Sequence, residues 1–257
     1  MKISVCIATY NGSKYIKEQL DSILIQLGEN DEVIVSDDSS SDNTIEIIKS
    51  LVDKRIQIFE GQVFHNHTLN FEFALAQSTG DYIFLSDQDD VWMPDKVKIM
   101  INLLKEYNLV VSDCLVVNEF LKPLPFSLFN GKFNHSGFIN NIIKNHFLGC
   151  CMAFDRRILD LSLPFPSGVL SHESWLGAVA EAFGKTKFSS DKLIMFRRHN
   201  SNHSNTLKGS TLNLKEKVTY RMVIVANIIK LKINFKKIYV PYLLICFIFF
   251  MAFLLVL

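Results

Sequence analysis

Three observations predict an α/β domain built on a mostly parallel sheet flanked by helices. Apolar runs alternate with amphipathic stretches through the N-terminal third of the chain. The apolar runs are nearly continuous, as in strands buried on both faces. The polar and acidic residues that follow these runs gather at their C-terminal ends, where open parallel sheets bind ligands.

The elements follow in order. KISVCIA (2–8) is the first strand, and Ile16, Leu20, Ile23, Leu24 and Leu27 then share one face at helical spacing. EVIVS (32–36) is the second strand, followed by a helix carrying Ile45, Ile48 and Leu51, with Asn43 and Glu46 spaced as a capping box. RIQIF (55–59), a helix over Asn70 to Gln77, and DYIFLS (81–86) complete a βαβαβαβ order, which right-handed crossovers close into a parallel sheet. Its C-terminal edge then carries TYN (9–11), SDDSSSDNT (36–44) and SDQDD (86–90).

Composition narrows the function. The chain has 257 residues, 49% of them hydrophobic, enough for one full-sized core. A formal net charge of +1 provides no global basic field for nucleic acid. Five cysteines, Cys6, Cys114, Cys150, Cys151 and Cys246, lack C-x-x-C spacing, so reduced buried thiols are expected rather than a disulfide framework or zinc site. The strand pattern starts at once, without a cleavable leader, which places the main domain in the cytoplasm. Residues 238–257, IYVPYLLICFIFFMAFLLVL, carry no charge. At about 1.5 Å per residue they match the ~30 Å of a bilayer core. With Lys230, Lys232, Lys236 and Lys237 before them, they predict a C-terminal membrane helix on the cytoplasmic face of the cell membrane, the alternative being a buried or interfacial helix. The expected organisation is a catalytic domain over 1–215, a basic amphipathic linker over 216–237 and a membrane segment over 238–257.

The chemistry is expected in SDQDD. In an extended segment Asp87 and Asp89 point the same way and converge on one hard cation, Mg²⁺ or Mn²⁺, whose open positions suit diphosphate oxygens. A nucleotide-diphosphate substrate follows. Asp95 and Asp90 are also read as caps of the next helix. No G-x-G-x-x-G follows the first strand, which disfavours a dinucleotide dehydrogenase.

TYNGSKYIKEQLDSIL, VSDDSSSDNT, NFEFALAQSTGDYIFLSDQDDVW and the later GCCMAF, H-E-x-W and R-R-H resemble the ordered motifs of family 2 glycosyltransferases. The form is similar to that of bacterial enzymes adding rhamnose or related sugars to surface polysaccharides. The resemblance implies the Rossmann-like GT-A fold and inverting, metal-dependent transfer from a nucleotide-diphosphate sugar to a glycan or lipid-linked acceptor. It implies that Thr9, Tyr10 and Asn11 line the nucleotide site, that Asp38 hydrogen-bonds the pyrimidine, that Asp87 lies near ribose and metal and that Asp89 ligates the metal. Glu173 of SHESW takes the place of the base, where relatives more often have aspartate. His199 lies near the diphosphate, and Gln88 has no implied role.

Trp175 is read either as an acceptor-stacking ring or as core. The pairs His65/His67 and His199/His203 have ligand-like spacing without nearby cysteines. Two other functions are weighed: a catalytically silent nucleotide-sugar-binding subunit of a membrane assembly complex, opposed by the intact Asp87, Asp89 and Glu173, and a nucleotidyltransferase, which needs a basic phosphate loop where TYNGSKY stands.

Overall fold

The near-continuous apolar runs at 2–8, 32–36 and 81–86 become buried strands because they are covered on both faces, whereas the third run, 55–59, lies at the sheet edge and stays partly exposed. In the computed structural model, residues 1–125, 129, 136–199, 202 and 212–236 are described. Strands β1 (Ile3–Thr9), β2 (Glu32–Asp37), β3 (Ile56–Phe59) and β4 (Tyr82–Ser86) alternate with helices α1 (Ile16–Leu24), α2 (Thr44–Ser50) and α3 (His67–Gln77), as the hydrophobic pattern predicts. The Asn43 side chain, expected to cap α2, makes no cap bond; Asp42 instead accepts from the Thr44 amide. Helix α3 starts three residues before the predicted Asn70, capped by Asn66, which accepts from the amides of Thr68 and Leu69.

The second half departs from a mostly parallel sheet. It contributes β5 (Val91–Trp92), α4 (Lys96–Leu104), β6 (Leu109–Asn118), α5 (Phe138–Ile143), β7 (Met152–Asp155), α6 (Arg156–Ser162), α7 (His172–Phe183) and β8 (Thr186–Arg198). The eight-stranded order is β3-β2-β1-β4-β7-β6-β8-β5. The β3-β2-β1-β4 half is parallel, but β7 runs antiparallel to both β4 and β6, and β5 is antiparallel to β8. The sheet is therefore mixed. Strands β6 and β8 pair in parallel with register shifts around Asp113, which bend the sheet at this end.

Two expectations about the C-terminal region change. The stretch expected as a linker forms α8 (Leu214–Lys236), whose Ile224, Val225 and Ile228 are buried in the core cluster that α7 shares. The membrane segment is withdrawn from the architecture, because among the described residues no helix is long and apolar enough to cross a membrane. Residues 238–257, on which it rested, lie outside the described residues.

The edge of the sheet opposite the acidic loops is held by Glu32. This buried carboxylate accepts from Lys2 Nζ at 2.6 Å, Ser4 Oγ at 2.6 Å and the Thr79 amide at 2.7 Å, joining β1, β2 and the approach to β4. Gly80 lets that approach close, since a Cβ there would sit 2.6 Å from the Ser4 nitrogen. Burial opposes charge on Glu32, but the bonds from Lys2, Ser4 and Thr79 outweigh it and lower its pKa from 4.5 to about 2. A depressed carboxylate contributes stability above its unfolded pKa and loses it as pH falls towards its folded pKa. Glu32→Gln should therefore destabilise the domain by about 1–3 kcal/mol at neutral pH. The gap in melting temperature from wild type should shrink below pH 4.5 and close near pH 2. A gap independent of pH in thermal melts would show that the charge is not what holds this edge.

Candidate functional site

The C-terminal ends of β1, β2 and β4 meet in a network of short polar loops. Thr9 Oγ1 donates to Asp37 Oδ1 at 2.9 Å, and Asp37 also accepts from the Ser40 amide at 2.8 Å. Asp38 is buried, and its carboxylate accepts three backbone amides, from Phe64 (2.5 Å), His65 (3.1 Å) and Asn66 (3.2 Å). The residue expected to read a pyrimidine thus also shapes the wall formed by the β3–α3 loop. Asn11, at φ 48°, accepts from the Ser41 amide at 2.8 Å and joins the first loop to the second. Tyr10 projects outward with its ring exposed, available to a ligand over the edge.

Between β4 and β5 the chain turns rather than extending, so the alternation expected of Asp87 and Asp89 does not apply. Gln88, given no role by sequence, holds the turn: its Nε2 donates to the Tyr10 carbonyl at 2.9 Å and its Oε1 accepts from the Tyr10 amide at 3.0 Å. Gly12 makes room, because a Cβ there would lie 2.3 Å from Gln88 Oε1. Arg197, at the end of β8, braces the other side. Its amide donates to Asp90 Oδ1 at 2.9 Å, its Nε to the Asp89 carbonyl at 2.7 Å and its Nη1 to the Glu119 carbonyl at 2.8 Å. The guanidinium pairs with Glu18 and lies 4.5 Å over the Tyr15 ring. Sequence spacing could not assign this role, since Glu18, Asp89, Asp90 and Glu119 are all distant from Arg197 in the chain.

Asp89 faces His199 and Asn202, with its Oδ2 2.8 Å from His199 Nε2 and 2.8 Å from Asn202 Nδ2. Asp87 stays partly open to solvent, 3.9 Å from His67 Nε2. Burial, then the charges of Asp89 and Glu173, raise its carboxyl to about 8. The charge of Glu173 is thus felt at Asp87 although Glu173 comes from α7, where it occupies the first turn behind the Ser171 cap. Its Oε2 lies 3.3 Å from Nδ1 of the buried His172. Asp89, with the His199 imidazole at 2.8 Å, adds its charge to that at Asp87, a repulsion between carboxylates that a divalent cation would relieve.

Trp175 is not an acceptor platform. It is buried, and its Nε1 donates to the Ser162 carbonyl at 2.9 Å. Helical spacing turns it towards α6, away from the side on which Glu173 meets His172. His203 and Cys246 lie outside the described residues.

The family profile described as Glycosyl transferase family 2 matches residues 4–161, which include β1 to β4 and the acidic turn. The chain belongs to glycosyl transferase family 2. This family 2 chain is 26% identical over 173 residues to the UDP-Glc:alpha-D-GlcNAc-diphosphoundecaprenol beta-1,3-glucosyltransferase WfgD of Escherichia coli, covering 63% of this chain and 64% of WfgD. It is 31% identical over 125 residues to the putative glycosyltransferase EpsE of Bacillus subtilis, covering 46% and 45% of the two chains. It thus spans less than two thirds of these relatives' length. Among solved structures, S. aureus TarS in complex with UDP-GlcNAc superposes with a TM-score of 0.68 at 21% identity, over 88% of this chain and 66% of the other. The mannosyltransferase PcManGT of Pyrobaculum calidifontis, in complex with GDP-Man and Mn²⁺, gives 0.61 at 18%, over 89% and 64%. Both likenesses show the GT-A fold.

In this family 2 domain the Gln88 clamp can be tested without any ligand. Gly12→Ala and Gln88→Ala should each lower unfolding free energy by about 1–2 kcal/mol, because either change removes the same pair of hydrogen bonds. The double variant should be no worse than the poorer single one. Additive losses in denaturant titrations would mean that Gly12 acts through its own turn.

Proposed function

We propose that this domain transfers a hexosyl group from a nucleotide-diphosphate sugar to a hydroxyl of a glycan or lipid-linked acceptor, inverting the anomeric centre with Mg²⁺ or Mn²⁺ as cofactor. The observation that carries this reading is the convergence of Asp87, Asp89 with His199, and Glu173 at the strand ends of a family 2 domain.

Each group has a distinct task. Thr9, Tyr10 and Asn11 border the nucleotide site, with Asp38 holding its wall in place. Asp87 and Asp89, with His199, would hold the cation. When bound, it neutralises charge on the departing diphosphate. Glu173 accepts the proton of the acceptor hydroxyl, which then forms the new bond to the anomeric carbon as the bond to the diphosphate breaks. Attack opposite the leaving group inverts the centre. Rhamnose on a dTDP carrier is the donor suggested by the sequence motifs, whereas the name of WfgD suggests UDP-glucose and an acceptor of diphosphate-linked GlcNAc.

Incubation with dTDP-rhamnose, UDP-glucose, UDP-GlcNAc and GDP-mannose plus Mn²⁺ should show binding and slow hydrolysis of one donor. Glu173→Gln should lower the transfer rate by about 10² to 10⁴-fold with nucleotide affinity retained. Transfer at the wild-type rate would place the base elsewhere. Asp89→Ala should instead remove metal-dependent donor binding while circular dichroism stays native, and unchanged turnover at ordinary metal concentrations would exclude Asp89 from the site. A chain that binds a donor but neither hydrolyses nor transfers it would be the silent subunit.

A further inference from the structure

We infer that Asp87, Asp90 and Cys150 form a site for a thiophilic divalent cation of the zinc class, set beneath the acidic turn and separate from the Asp89–His199 pair. One ligand atom from each residue lies within 4.8 Å of the others. Zinc bonds thiolate sulfur at about 2.3 Å and carboxylate oxygen at about 2.0–2.2 Å, so tetrahedral donors stand roughly 3.5 Å apart and side-chain rotation closes the trio. This placement does not require the transfer reaction proposed above.

The buried groups call for a ligand. Asp90 is 1% exposed; its Oδ1 accepts the Arg197 amide, and its Oδ2 has no hydrogen-bond partner among the described residues beyond the weak contact of the Cys150 thiol. The fully buried Cys150 thiol lies against both carboxyl groups. One S–H proton is a weak donor and cannot satisfy two carboxyl groups at once. The adjacent Cys151 meets Cys114 and Ser112 as well as the Cys150 thiol. Buried Lys96 adds one positive charge nearby, its Nζ donating to the Cys150 carbonyl at 3.1 Å. Once a bound cation has displaced their protons, two carboxylates and a thiolate against one ammonium leave two negative charges, which one dication cancels. A thiolate favours soft or borderline ions over Mg²⁺ and Mn²⁺. Entry is past Asp87, the partly exposed member of the trio. A cation held there takes Asp87 away from the hard-metal position, so inhibition by zinc follows if the proposed transfer is correct.

Cadmium is the probe, because a Cd²⁺–thiolate bond gives an ultraviolet charge-transfer band independent of enzyme activity. The purified full chain, stripped of metal, should develop the band with one equivalent of Cd²⁺ and keep it in excess Mn²⁺. Cys151→Ser should retain the band and Cys150→Ser should lose it. Asp90→Asn, which leaves every thiol in place, should weaken Cd²⁺ binding by about tenfold or more. If Cys150→Ser fails to fold by circular dichroism, the Asp90→Asn and Cys151→Ser titrations decide. No band in the wild-type chain, a band surviving in folded Cys150→Ser, loss in folded Cys151→Ser, or unchanged affinity in Asp90→Asn would each overturn the site.

Discussion

The acidic turn after β4 is the constraint around which the other loops are organised. It gathers Asp87, Asp89 and Asp90, with Glu173 nearby, although like charges in a shielded pocket oppose one another. Neutral hydrogen bonds and one cationic brace keep it in shape. Gln88 fastens it to β1, and Arg197 fastens its backbone to β8 and α1. Repulsion left over within such a turn favours a bound cation, so the same feature that strains the site also equips it.

The mixed sheet has a functional consequence. A wholly parallel arrangement would bring the strand ends of the nucleotide half together but leave the other half unrelated to them. Here β7, antiparallel between β4 and β6, leads the chain into α6 and on to α7, whose first turn brings the charge of Glu173 to bear on Asp87. Strand β8 returns alongside β6 and ends at Arg197 and His199, beside Asp89. The candidate base and the candidate metal-side histidine therefore reach the acidic turn from separate connections.

The two edges of the sheet show how placement gives carboxylates different characters. Glu32 is buried and Asp87 partly so, but Glu32 faces a lysine, a hydroxyl and an amide and is held ionised, whereas Asp87 faces other acids and is pushed towards protonation. Residue type does not separate them. One joins strands, and the other is suited to share a cation with a substrate.

Much of this was legible in the sequence. Continuous apolar runs and helical periodicity located β1 to β4 and α1 to α3, because both signals arise from local burial patterns. The ordered motifs named Asp87, Asp89, Glu173 and His199 as candidates, since residue type and spacing are visible in a sequence. The clamp by Gln88, the brace by Arg197, the core position of Trp175 and the antiparallel β7 were decided by tertiary structure alone. Each depends on which distant segment arrives alongside, over separations such as the 78 residues between Tyr10 and Gln88. The sequence by itself determined the first four strands, the first three helices and the acidic residues at the strand ends; only the folded chain decided which way each acid faces, because hydrogen-bond partners far apart along the chain set that orientation.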